Sequence, residues 1–214
     1  MAQTSGFFRR PLDEIFAAPS HVAILRALLD SAQGMSGREV GRTAGVSHVA
    51  AGRALSRLED CGVIERLGSG KTQLLRLNTS NMLVTELIRP LLLREREVYA
   101  QLLEVVRTAF TGTDATVVLF GSAARHEESP DSDLDLFVIV PAGKRRTAMQ
   151  EAAADLAADI GRRFGVRATP LVETRYEVRQ RARREDPLLS ALLREGVTLV
   201  GGDLGEVIRG SRRK

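Results

Sequence analysis

Tryptophan is missing from this 214-residue chain, and aromatic residues make up only 4% of it. A core with so few large rings has to rest on Leu, Val, Ile and Ala, a palette that favours helices. Cysteine occurs once, at Cys61, so no internal disulfide can form, and a reducing compartment is expected. Cys61 has no metal-ligand neighbour at a usual spacing, and its place late in an expected helix reads as a small packed side chain. No apolar run approaches the length of a membrane span, and the N-terminal residues lack the apolar stretch of a secretory signal. The expectation is a cytoplasmic protein with no membrane partner. Lysine is scarce, so the net charge of +4 rests on arginine. That balance permits nucleic acid or nucleotide phosphate as a partner and says nothing about fold.

What is present falls into modules. Over residues 12–80 the apolar positions Val22, Ile24, Leu25, Leu28 and Leu29 repeat at helical spacing, with Ser20 as the expected cap. Ser36 starts a short second helix, Gly45 supplies a tight turn, and Ser47 caps a third helix over 48–61. That helix puts Ala51, Leu55 and Leu58 on one face, while Arg53, Ser56 and Arg57 point elsewhere. Residues 63–67 and 72–77 then read as a hairpin whose glycine turn carries Lys71 at its tip. Residues 81–112 form a helical connector rich in Leu, Glu and Arg, which Pro90 is expected to kink or split. It serves a homodimer contact as readily as packing on its own chain. Residues 113–202 mix strands with helices: strands over 116–120, 134–140 and 166–172, a helix over 145–164, and a last short strand over 197–200. The expected fold class is therefore α+β, its C-terminal part an α/β domain.

The chemistry concentrates in this last module. Asp133 and Asp135 lie two apart at the start of a strand and so share a face, among apolar neighbours Leu134, Leu136, Phe137 and Val138. Two adjacent carboxylates repel unless a cation neutralises them, and hard oxygen ligands of this kind suit Mg²⁺ (or Mn²⁺) that also binds substrate phosphates. Gly121 and Ser122 end the preceding strand and open a helical turn, where backbone N–H groups and a hydroxyl meet an anion. Taken alone, an Asp-x-Asp pair is more often an unliganded acidic pair, but a phosphate cradle on the adjacent strand makes the combination far more specific.

The run Phe-Gly-Ser-Ala-Ala-Arg over 120–125, followed by Pro-Asp-Ser-Asp-Leu-Asp-Leu-Phe-Val over 130–138, resembles the signature of the DNA polymerase beta-like nucleotidyltransferases, the small "minimal" members especially. The resemblance implies that Gly121, Ser122, Ser132 and Arg125 contact a nucleoside triphosphate, and that Asp133 and Asp135 hold the catalytic metal ions. Arg125 has an alternative use in a structural ion pair with a loop carboxylate. The resemblance is incomplete at two places. His126 stands where small members often have glycine. The third acid expected on a later strand is replaced by Thr169, or by Pro170 if the register slips by one; Glu173 lies at the strand end.

The first module is similar to the winged helix-turn-helix of bacterial regulators, from Gly45-Val-Ser-His-Val to Gly62-Val-Ile-Glu-Arg66. That resemblance implies double-stranded DNA as a partner, with Ser47, His48, Arg53 and Arg57 facing the major groove, Arg38 and Arg42 near the backbone, and Lys71 on the wing. The combined expectation is a DNA-binding protein whose Mg²⁺-dependent transferase domain moves a nucleoside monophosphate from an NTP to an unnamed acceptor. Two alternatives stay open: a transcription regulator whose degenerate transferase domain senses a nucleotide, and an antitoxin-like modifier of a partner protein.

Overall fold

The computed structural model describes residues 6–68, 73–141 and 145–209. The chain divides into two compact units, Met1–Glu97 and Val98–Lys214. In the first unit, α1 (Pro11–Ile15), α2 (Pro19–Leu28), α3 (Gly37–Thr43) and α4 (His48–Asp60) precede a hairpin of β1 (Ile64–Leu67) and β2 (Leu74–Leu77), paired antiparallel.

Local chemistry sets these boundaries. Proline fixes φ and has no N–H to lose, so Pro19 opens α2 and Ser20, the expected cap, falls inside the first turn. At α3 the Ser36 and Glu39 side chains cap each other's backbone, a reciprocal capping box. The Ser47 hydroxyl accepts from the Ala50 N–H at the start of α4, directly after Gly45, whose φ of +66° only glycine adopts without strain. Ala51, Ala54, Leu55 and Leu58 form the buried face of α4 and pack with Ile24, Leu25, Leu28, Val40, Ile64 and Leu75. Cys61 is buried in the same cluster, and desolvation pushes its thiol pKa up, as a packed residue requires.

Pro90 does not split the helix. A π-helical segment, Leu83–Ile88, runs directly into α5 (Arg89–Phe110). A proline ring meets the carbonyl four residues earlier in a normal α-turn; the wider π turn just before it relieves that clash and the helix continues. The division between the two units falls within α5.

The second unit is built on a mixed sheet of order β5-β4-β3-β6. Strand β3 (Thr116–Phe120) runs antiparallel to β4 (Leu134–Val140), and the one-turn α6 (Gly121–Arg125) follows β3 without a gap. The long α7 (Arg145–Phe164) is the crossover that lets β5 (Ala168–Thr174) lie parallel to β4. Then come α8 (Arg175–Arg183), α9 (Pro187–Glu195), β6 (Val197–Val200), antiparallel to β3, and α10 (Leu204–Arg209). Both sheet faces are covered. Leu134, Leu136 and Val138 pack with Leu102, Val106 and Phe110 of α5 and Ile160 of α7. Val118, Phe137 and Ile139 pack on the other side with Val178, Leu189, Leu192 and Leu204. A strand buried on both faces needs an unbroken apolar run, which is what 136–140 provides.

Candidate nucleotide site

The antiparallel register places Phe120, the last residue of β3, opposite Asp135. Gly121 therefore begins α6 directly beside that carboxylate. Its φ is +72°, and a Cβ added there would lie 2.3 Å from Asp135 Oδ2. Both the backbone conformation and the space demand glycine. On the other side, the parallel register sets Asp135 against Thr169, whose hydroxyl donates to Oδ1 at 2.7 Å. One carboxylate is thus held between a glycine turn and a hydroxyl from two different strands.

Asp133 immediately precedes β4, and Leu134 between the two aspartates is buried in the core. The Arg167 guanidinium stands 3.6 Å from Asp133 Oδ2, a loose contact for a side chain that is 79% exposed. Ser122 is half-buried at the second position of α6, and its carbonyl accepts from the Glu127 N–H. The first N–H groups of a helix have no partner within it, so α6 presents its opening turn toward the same corner. Ser132 is occupied differently: its hydroxyl accepts from the Ser129 N–H and fixes the loop that delivers the two aspartates.

Arg125 forms ion pairs with Glu127 at 2.7 Å and Glu195 at 3.1 Å, and these raise its pKa further. It is engaged in the structural pairing that the sequence left open as its alternative use. His126 adopts φ +58°, the left-handed region, which explains why glycine suits that position. Glu173 does not bend toward the aspartates. It pairs with Ile139, four residues beyond Thr169, about 13 Å along the strand. There it is 7% exposed and chelated by the Arg181 guanidinium, which also binds Asp186. Among the described residues no group of three or more His, Cys, Asp or Glu side chains assembles into a metal cluster.

Sequence reasoning located Thr169 but gave it no role; its hydrogen bond to Asp135 follows from the parallel register, which single-strand periodicity does not report. Likewise, Glu14 was not foreseen as the partner of Arg57. In the first unit Arg38, Arg42, His48 and Arg53 are exposed, whereas Arg57 is clamped by Glu14 at 2.5 and 3.1 Å. The Ser47 hydroxyl is spent on capping α4. Lys71 lies outside the described residues.

A strand, a glycine turn and two acids at the start of the next strand thus meet in one corner of the sheet. The family model described as "Nucleotidyltransferase domain" matches residues 100–192, so this stretch, from the second half of α5 into α9, is similar to a nucleotidyltransferase domain. A solved structure described as "Crystal structure of the toxin-antitoxin with AMP-PNP" is similar at 12% identity and a TM-score of 0.34, over 50% of this chain and 82% of that one. No curated protein matches the chain. No helix among the described residues is long and apolar enough to cross a membrane.

Proposed function

We propose that the protein transfers a nucleoside monophosphate from an NTP at the corner formed by Gly121, Ser122, Asp133 and Asp135. The observation that carries this reading is the contact between Gly121 and Asp135: the missing Cβ leaves backbone and carboxylate side by side, where a phosphate oxygen and its cation have to be held together. The donor set fits a divalent ion, since two hard carboxylates on one face are what Mg²⁺ (or Mn²⁺) takes from a protein when phosphates complete its shell. When bound, such an ion neutralises the triphosphate and stabilises the departing pyrophosphate. The chain's own contributions are separate. The opening turn of α6 receives phosphate oxygens on its N–H groups, the Ser122 hydroxyl adds a donor, and Thr169 fixes the rotamer of Asp135. Arg125, tied to Glu127 and Glu195, braces the loop in this reading.

For residues 12–80 we propose a winged helix-turn-helix that binds double-stranded DNA. The support is the α3, glycine turn, α4 and hairpin sequence, together with the exposed Arg38, Arg42 and Arg53. A second reading, a regulator that binds NTP without turnover, draws on one observation: the residue beside Asp135 on β5 is Thr169 and not an acid.

Titration calorimetry of the full chain with each NTP, with and without Mg²⁺, tests the site. Binding that requires Mg²⁺ and is lost in the double variant Asp133→Asn, Asp135→Asn is expected, with circular dichroism unchanged. Equal binding by the double variant sinks the assignment. Transfer of label from α-labelled NTP separates the enzyme from the sensor, and duplex binding that weakens steeply with salt is expected of the first unit's arginines.

A further inference from the structure

Val49, Gly52, Arg53 and Ser56 of α4 recur at intervals of three and four residues. All four are exposed, on the side opposite the buried Ala51, Ala54, Leu55 and Leu58. Val49 is 63% exposed, although a β-branched side chain gains nothing from a solvated helix face. Gly52 stands inside the helix, where glycine is less stable than alanine. No packing requires it, since a Cβ at Gly52 would meet nothing within 4 Å. Gly41 of α3 is the contrast: a Cβ there would lie 3.2 Å from the Ala51 Cβ. An exposed valine alone is ordinary. Its place on one face with an open glycine and an unpaired arginine is what the fold does not account for, and what the approach of an outside surface to the helix backbone would use.

Charge selects that surface. From Ser47 to Arg57 the chain holds no acid. Arg53 and, on α3, Arg38 are exposed and make no ion pair with a described residue. The acids of α3 and α4 are engaged or distant: Glu39 caps α3, Glu59 holds Arg66, and Asp60 stands at the far end of α4. A basic face with room for close approach complements the major groove, whose base edges offer acceptors to arginine and, at thymine, a methyl group to apolar side chains.

We propose that α4 reads a thymine and a guanine in the major groove. Val49 packs on the thymine 5-methyl group, Arg53 pairs with the guanine, and Gly52 lets the backbone come close between them. This rests on the DNA-binding reading of residues 12–80 and names the bases that the reading leaves open. Val49 and Arg53 are four residues apart, about 6 Å along the helix axis. At about 3.4 Å per base-pair step, the two bases lie within about two steps of each other.

The experiment uses the full chain and a library of DNA duplexes with a randomised centre. Duplexes retained by the chain are expected to share a thymine and a guanine within about two base pairs. Replacing that thymine by uracil removes only the methyl group and should weaken binding about fourfold, the worth of burying one methyl. The Val49→Ala chain should bind the two duplexes equally. Arg53→Ala should lose about tenfold of the preference for guanine. Gly52→Ala should raise the melting temperature and yet lose binding to the retained duplex, opposite signs that a purely structural glycine does not give. A chain that retains no duplex even at low salt sinks the DNA-binding reading and this inference together, and leaves the face to a protein. If duplexes are retained but share no such thymine and guanine, if uracil costs nothing, or if Gly52→Ala binds as well as wild type, the base assignment alone is overturned.

Discussion

The two units hold arginine–glutamate pairs of similar geometry under opposite conditions. In the C-terminal unit, Glu173 is buried on a central layer and Arg181 closes over it with two hydrogen bonds, adding Asp186. In the N-terminal unit, Arg57 and Glu14 meet on the surface, each about half exposed. Water solvates the surface pair whether or not it forms, so its formation changes little. No water is at hand for a buried carboxylate whose partner is removed, so losing that partner is costly. The same contact is therefore framework in one unit and a readily released charge in the other. That difference bears on the DNA-binding reading proposed above, in which an arginine has to leave its carboxylate at small cost.

The largest effect should come from the aspartate corner. Gly121→Ala forces a Cβ into a left-handed backbone position, which costs about 1–2 kcal/mol, and pushes it against Asp135 at 2.3 Å. Relief requires Asp135 to turn away from Thr169, which forfeits a charged hydrogen bond of about 1.5–3 kcal/mol. Urea unfolding should report a loss of about 3–5 kcal/mol together with abolished Mg²⁺-nucleotide binding. A variant of native stability and affinity would break the claim that glycine and carboxylate are in contact.

Next come the two clamps. Arg181→Met leaves Glu173 buried and unpaired. Because the Arg181 side chain is 37% exposed, the loss should fall below that of a fully buried pair, at about 2–3 kcal/mol. Arg57→Ala should leave stability almost unchanged by the same measurement, since water solvates Glu14 when its partner is gone. Its effect is expected in duplex affinity, where a lost phosphate contact lowers the slope of log affinity against log salt by about one unit. Equal stability losses for the two variants would erase the contrast between the units. An unchanged salt slope would remove Arg57 from the DNA face and leave Arg38, Arg42 and Arg53 to carry it.

How much of this was legible in the sequence depends on the range of the interaction. Features fixed within a few residues read directly: the apolar run of β4, the Ser36 and Ser47 caps, and the helix that became α7. Local competition already spoils some of them, as where Pro19 displaces Ser20. β5 shows how tertiary pairing moves a boundary. Expected over 166–172, it runs as Ala168–Thr174, since the Arg167 carbonyl bonds the Leu134 N–H just before the ladder starts and the Thr174 hydroxyl caps α8 at its end. The motif brought Gly121, Asp133 and Asp135 into one hypothesis, but the contact of Gly121 with Asp135 is a consequence of the Phe120–Asp135 register. Arg57 and Glu14 are 43 residues apart, and no periodicity connects them.

His126 provides the smallest and sharpest test of the corner's surroundings. It sits in the left-handed region at φ +58°, closing α6 one residue after Arg125. Were the strain the full 1–2 kcal/mol of a general L-residue, His126→Gly would stabilise the chain clearly. Two effects oppose that: histidine is among the residues that visit this region more readily, and glycine makes the unfolded chain more flexible by roughly 0.5–1 kcal/mol. The terms nearly cancel, so a gain of about 0.5 kcal/mol or less is expected in thermal or urea unfolding, with nucleotide affinity unaltered. A gain well above about 1 kcal/mol would mean that the turn is strained in the native chain. A gain in affinity without one in stability would mean that the histidine ring, and not the backbone it forces, restricts access to the proposed nucleotide site.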